Sequence, residues 1–385
     1  MRKILILFPL LLSGSVFAEA EWLVIGNDTK IECRAEGLTK VKPGDDTVSF
    51  INLAEGKDRP SDFPSISMTN SIFGPPTNVA VTPDQKLAIV ANSMNWVEDG
   101  GVWNAEPAKT LYVIDLEGGK PGAVSAVKTK AQPSGMSISR DGKNLLVANR
   151  ADRSVSLFRI EDKSARLLDT VSVDGEAAAV SIHPDGKSAL VAKFGEHFVG
   201  QIGVEGDKLN YDQAKDIPVG LSPYNVKIHP GGEFAIVCNT GNRGLPDGHR
   251  DTLSLIDLGA EGAHVYDTIP VGDGPEGLAI SADGKYVAVP LLNGSTDMFK
   301  DKWFHHPNGE VVLYQADGKE LKEVSRVETG AFPEGIAFSA DASHLYVANL
   351  DSEDLSVYAI DDGKLRQLGE PISLPGKPGS MGSAH

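Results

Sequence analysis

One hairpin recurs along this chain, and that recurrence constrains the fold more than any other feature. Its plainest copy runs from Gln132 to Ile160. It has a Pro133-Ser134-Gly135 approach, a short alternating run, the turn Arg140-Asp141-Gly142-Lys143 and an apolar run ending in Val147-Ala148-Asn149. A polar link then leads into a second alternating run, Ser154 to Ile160. Asp-Gly between alternating apolar residues marks a tight hairpin, because both residues tolerate the positive φ such turns need.

Six copies of this hairpin align, opening at Pro76, Pro133, Ala177, Pro223, Pro275 and Pro333, with spacings of about 45 to 60 residues. Each continues into a third apolar run, such as Thr110–Leu116, Thr252–Leu258 or Leu355–Ile360, and then a shorter fourth, such as Leu167–Val171 or Val324–Val327. Four antiparallel strands per unit make a propeller blade, and helical periodicity is nowhere sustained. The chain ends supply one more unit. Trp22–Asn27, Thr47–Leu53 and Ile66–Thr69 read as second, third and fourth strands, and Pro378–His385 begins like a repeat and stops. The expectation is therefore all-β: a seven-bladed β-propeller of four-stranded antiparallel blades, its ring closed by a C-terminal inner strand beside N-terminal outer strands. Closure of this kind removes free sheet edges.

Residues 1–20 have the pattern of a signal peptide: Arg2-Lys3, an apolar run from Ile4 to Leu12, and small residues fitting cleavage after Ala18 or Ala20. Residues 21–385 then form one propeller domain that is periplasmic or secreted, and no later apolar run is long enough for a membrane helix. Loss of Arg2 and Lys3 leaves 34 basic against 53 acidic residues. That balance, with no basic run, excludes nucleic acid as a partner. The two cysteines, Cys33 and Cys238, either form a single disulfide or remain two thiols.

Runs such as Leu-Leu-Val-Ala-Asn and Leu-Tyr-Val-Ala-Asn after Ser-x-Asp-Gly-Lys resemble the YVTN-type propeller repeats. These are shared by lactonase-like proteins of the 6-phosphogluconolactonase superfamily and by the amine dehydrogenase heavy chain. The resemblance implies that first strands line a central channel. It also implies that loops joining second to third and fourth to first strands share the ligand-binding face. In the slot after the repeat Pro stand Thr77, Ser134, Ala178, Tyr224, Glu276, Glu334 and Gly379. Two carboxylates on adjacent blades repel, so one is driven to hold a proton or the pair recruits a cation. Bacterial lactonases carry Arg-His after this Pro, and here the slot holds other residues.

At the end of the second strand stand Asn27, Asn92, Asn149, Lys193, Asn239, Leu291 and Asn349. The asparagines read as turn-makers, and Lys193 and Leu291 as the informative departures. The links that follow are long at 28–46, 93–109, 240–251 and 292–309, as two neighbouring pairs of walls around a cleft. They carry Trp96, Arg243, His249, Arg250, Trp303, His305 and His306. Tryptophan stacks on planar ligands and arginine holds carboxylate or phosphate.

A small polar or anionic ligand is the expected partner, bound by Tyr224, Asn239, Arg243, Arg250, Trp96, Trp303, Lys193 and His197. Lactone hydrolysis by water attack would use Glu276 or Glu334 as base with His249 or His305. A divalent metal, if one binds, would take Glu276, Glu334, His249 and His306 as ligands. The other readings are a non-catalytic periplasmic propeller that engages a ligand or a periplasmic protein partner, and a heavy-chain-like subunit of a redox complex.

Overall fold

Seven inner strands surround a central channel, five of them opened by the repeat's Pro-containing approach, one by Ala177 in its place and the seventh formed by the chain's C-terminal residues. The computed structural model describes residues 20–61, 63–70 and 73–384, so the expected leader lies outside it except for Ala20. Blades are numbered here from the first repeat. Blade 2, the plainest, runs outward through Pro133–Ile138, Asn144–Asn149, Ser154–Glu161 and Ser164–Ser172. The inner strands of the others are Val79–Val81 in blade 1, Ala177–Ile182 in blade 3, Pro223–Ile228 in blade 4, Ala279–Ile280 in blade 5 and Pro333–Phe338 in blade 6. Blade 7 joins Lys377–Ser383 to Trp22–Asp28, Thr47–Asn52 and Ser65–Ser67. Leu23 pairs with Ser383 and Asp28 with Lys377, so the two ends of the chain close the ring antiparallel. The expected architecture holds in every blade.

The apolar core is divided rather than single. Seven buried clusters each draw on two neighbouring blades, for example Phe234, Leu255, Val287 and Tyr314 between blades 4 and 5, or Trp22, Phe50, Val81 and Ile114 between blades 7 and 1. Each sheet is apolar on both faces, as near-continuous runs such as Leu145–Ala148 require, and stability accrues blade by blade.

Asn92 donates locally to Asn95 Oδ1 at 2.9 Å, but the other four strand-end asparagines do not serve turns. They are buried and donate laterally to the third strand: Asn27 Nδ2 to Ser49 Oγ at 2.9 Å, Asn149 to Ser156 at 2.9 Å, Asn239 to Ser254 at 2.9 Å and Asn349 to Ser356 at 2.9 Å. A buried amide left without partners is expensive, so the repeat retains an Asn–Ser pair rather than a turn signal. In blade 3 that Ser is Gly200 and the Asn is Lys193, whose Nζ fills the space by pairing with Asp216 at 2.6 Å and Tyr211 Oη at 3.0 Å.

On the face opposite the long links, His183 and His229 each reach the next blade's turn. Their Nε2 atoms lie 3.1 Å from Gly232 O and 3.0 Å from Gly284 O.

Two of the long links are regular. Residues 93–109 extend the blade 1 hairpin, Leu87–Asp99 with Val102–Asp115, beyond the blade. Residues 28–46 contain a separate hairpin, Ile31–Arg34 with Gly37–Lys40. Cys33 in that hairpin and Cys238 in blade 4 are free thiols.

Candidate functional site

Two of the buried slots hold a carboxylate. Glu276 is 6% and Glu334 3% exposed, beside each other because blades 5 and 6 are in close contact, with Gly277 against the Glu334 carbonyl. Among the described residues no ion pair neutralises either carboxylate, and Glu334 Oε2 has no hydrogen-bond partner. Other slots of the ring add two unpartnered buried hydroxyls, Thr77 Oγ1 and Ser134 Oγ, and the adjoining blade 4 adds the largely buried Tyr224.

Burial raises the Glu276 carboxyl to about 8, opposed by the nearby Arg150 guanidinium. Burial also holds Glu334 well above the carboxylate range, reinforced by the charges of Glu276 and Asp28. The pair is therefore asymmetric. A first negative charge settles on Glu276, facing the cation, and the proton stays on Glu334. Tyr224 is raised by burial and by Glu276, and remains a neutral hydroxyl.

A cationic wall rises beside them. Arg150 lies with its Cζ 4.5 Å from the Phe194 ring centre and 5.8 Å from that of Tyr224, and Arg243 stands 5.2 Å from the Phe194 ring. Phe194 also packs on Tyr224 with centroids 5.3 Å apart. Glu176 ties the two arginines, at 3.3 Å from Arg150 and 3.6 Å from Arg243. Gly244, following Arg243 at φ +83°, brings the blade 4 link onto the Glu276 carboxyl, with room for a Cβ only 3.2 Å from Oε1.

Behind Glu334 the surroundings are closed. Lys30, almost fully buried, pairs with Asp28 at 2.8 Å and with Asp46, and donates to Asn70 O at 2.6 Å. Trp96 lies over this ammonium, 5.7 Å from ring centre to Nζ, and stacks on Phe73. Ile31, Leu292, Met298, Phe332 and Leu350 complete an apolar cap from the links of blades 5, 6 and 7. The long links thus meet over blade 6 instead of forming two walls. The short links of blades 2 and 3 carry Arg150 and Phe194.

The sequence-predicted residues divide accordingly. Glu276, Glu334, Tyr224 and Arg243 come together. Asn239 and Lys193 are spent within their blades, and Trp96 belongs to the apolar cap. His197 accepts Ser222 N–H at its Nδ1, 2.9 Å away, which fastens the blade 3–4 link. His249 is on the outer rim, its side chain 80% exposed, bonded to Asp247 and edge-on to the exposed Trp303. Arg250 and His306 are exposed and His305 half-buried. Among the described residues no three His, Cys, Asp or Glu side chains are placed to share a metal ion.

Arg150, Phe194, Glu176 and Asp28 were missed. Three of them share a repeat position, the residue directly after the strand-end Asn, where the ring reads Asp28, Ser93, Arg150, Phe194, Thr240, Leu292 and Leu350. Aligning that column was the available signal.

A family model described as lactonase, seven-bladed β-propeller, matches residues 73–180 and 271–379, more than half of the chain. No curated protein matches by sequence. Among solved structures, the periplasmic gluconolactonase of Pseudomonas aeruginosa is similar at 21% identity and TM-score 0.68, over 94% of this chain and 98% of that one. A Bacteroides fragilis protein provisionally assigned as a 6-phosphogluconolactonase gives 18% identity and TM-score 0.69, over 96% and 99%. Hydrazine synthase of Kuenenia stuttgartiensis gives 19% and 0.60, over 82% and 91%. At these identities the structures share the fold.

Proposed function

The chain belongs to the seven-bladed β-propeller lactonase family, and from that premise we propose that it is an exported hydrolase that opens a lactone of a small sugar acid or related hydroxy acid. The observation that carries this reading is the buried, unneutralised Glu276–Glu334 pair beside Arg150.

Ring opening needs a base for water, a donor for the leaving ring oxygen and a positive site for the carbonyl oxygen. Glu276, ionised beside Arg150, takes a proton from water as the water oxygen bonds to the carbonyl carbon. Arg150 and the neutral Tyr224 hydroxyl stabilise the oxygen that gains charge. The ring C–O bond then breaks and its oxygen takes the proton of Glu334, leaving a hydroxy acid. The proton on Glu276 returns to Glu334 and the cycle closes. Phe194 and Arg243 form the approach side, suited to a polar ring with anionic character. His249 and His305 have no step in this scheme, and no step passes through a metal.

Export rests on the leader pattern at residues 1–20 and on the likeness to a periplasmic gluconolactonase. Among the described residues no helix is long and apolar enough to cross a membrane. Mass measurement of the protein recovered from the periplasm should give a chain starting at residue 19 or 21.

The test of function is turnover of a panel of γ- and δ-lactones by wild type, Glu276→Gln and Glu334→Gln, with and without Ca²⁺, Mg²⁺ or Mn²⁺. Wild-type hydrolysis lost at least 10³-fold in each variant is expected. A wild type inactive on every lactone, yet binding one of them, would leave a non-catalytic binding propeller as the function.

A further inference from the structure

The opposite end of the channel holds a cation that this scheme does not use. One level below the slots, each inner strand presents the residue paired three positions before the strand-end Asn site. Six blades carry a small residue there: Ala80, Ser137, Ser181, Ala279, Ala337 and Gly382. Blade 4 carries Lys227. All seven line a cavity of about 320 Å³ that opens on the face away from the glutamates.

Lys227 makes no side-chain hydrogen bond or ion pair with the described residues, and no Asp or Glu lines the cavity, although the chain carries a net charge of −17. Burial lowers its ammonium below the usual lysine range with no opposing charge. The other basic groups at the cavity are Arg140, which donates to Pro230 O at 2.9 Å near the outer opening, and His183, bonded at Gly232.

Ser137 Oγ and Ser181 Oγ each accept a backbone N–H from the next blade, Ile182 at 3.1 Å and Ile228 at 3.0 Å, which leaves each hydroxyl hydrogen to donate. Blades 2, 3 and 4 therefore present three adjacent donors, one of them charged. Across the channel Leu278, Ala279, Ala337 and Met381 present only carbon and sulfur.

We propose that this lower channel is a second ligand site, for a short aliphatic carboxylate whose head group meets Lys227, Ser137 and Ser181 and whose carbon chain lies against the blade 5 to 7 side. An anion of that shape supplies the missing counter-charge and covers apolar wall that an inorganic anion leaves wet. The site is independent of catalysis at the glutamates.

Butyrate is the probe, with butyramide and sulfate as controls, read by isothermal titration and by thermal midpoint. Butyrate alone should bind wild type and raise its midpoint. Lys227→Ala, which places in blade 4 the residue of blades 1, 5 and 6, should weaken butyrate at least 10-fold, and Lys227→Met serves if that variant fails to fold. Glu276→Gln should bind butyrate as wild type does. Equal binding by wild type and the Lys227 variants, no binding by wild type, or loss of binding in Glu276→Gln would each overturn the assignment. Sulfate binding equal to that of butyrate would refute the carboxylate specificity.

Discussion

Replacing Glu276 by Gln should make the protein more stable at alkaline pH while it abolishes turnover. The carboxyl is raised from the ordinary 4.5 to about 8 by burial, so the folded state resists its ionisation and the unfolded chain does not. A group raised in this way contributes fully to stability below pH 4.5, and the contribution is lost as pH climbs towards 8. At 1.36 kcal/mol per pKa unit, the loss from this group is on the order of 4 kcal/mol between pH 4.5 and 8. Gln keeps the shape and cannot ionise, so its stability curve lacks this fall. With an unfolding entropy of roughly 2 cal/mol/K per residue, that difference corresponds to a midpoint about 5 °C higher for the variant at pH 8, against near equality at pH 4.5. Scanning calorimetry of both proteins from pH 4.5 to 8.5 makes the measurement. Parallel curves would refute the reasoning, because they would mean that Glu276 is ionised in the fold at no cost.

Lactone turnover should rise with pH towards a plateau above about 8, since the base must lose its proton, and a rate that falls over that range would reverse the roles given to the two glutamates. Arg150→Met should lower kcat/KM about 100-fold and move this profile to higher pH, because the opposing cation is gone; initial rates from pH 6 to 10 read both effects. Gly244→Ala places a methyl against Glu276 Oε1 in a left-handed backbone at φ +83°, so kcat should fall sharply for a stability loss of only about 1–2 kcal/mol. Asn349→Ala leaves Thr329 and Ser356 without their shared partner and should cost about 2–4 kcal/mol in denaturant unfolding with KM unchanged.

The candidate site was half legible. Glu276, Glu334 and Tyr224 could be placed in one slot because the repeat can be aligned, and there they stand out from Ser134 and Ala178. The surroundings of Trp96 and His249 were not legible because long links look alike in sequence. One ran on as paired strand and packed Trp96 over Lys30, and another left His249 in solvent. Lys193 was correctly seen as a departure, but its meaning depended on Gly200 and Asp216, which meet it only across the blade.

The sequence alone determined the architecture. Alternation, turn chemistry and a repeated small-residue approach are local instructions, and seven copies of a two-faced sheet have few ways to bury both faces other than a closed ring. What the tertiary structure decided was charge. Whether a carboxylate is a solvated rim group or a buried acid near pH 8 depends on which chains lie over it. Whether a lysine is paired, as Lys193 is, or alone, as Lys227 is, depends on partners some twenty residues away or on the other blades around the channel. Those neighbours are set by ring closure, so no window of sequence contains them.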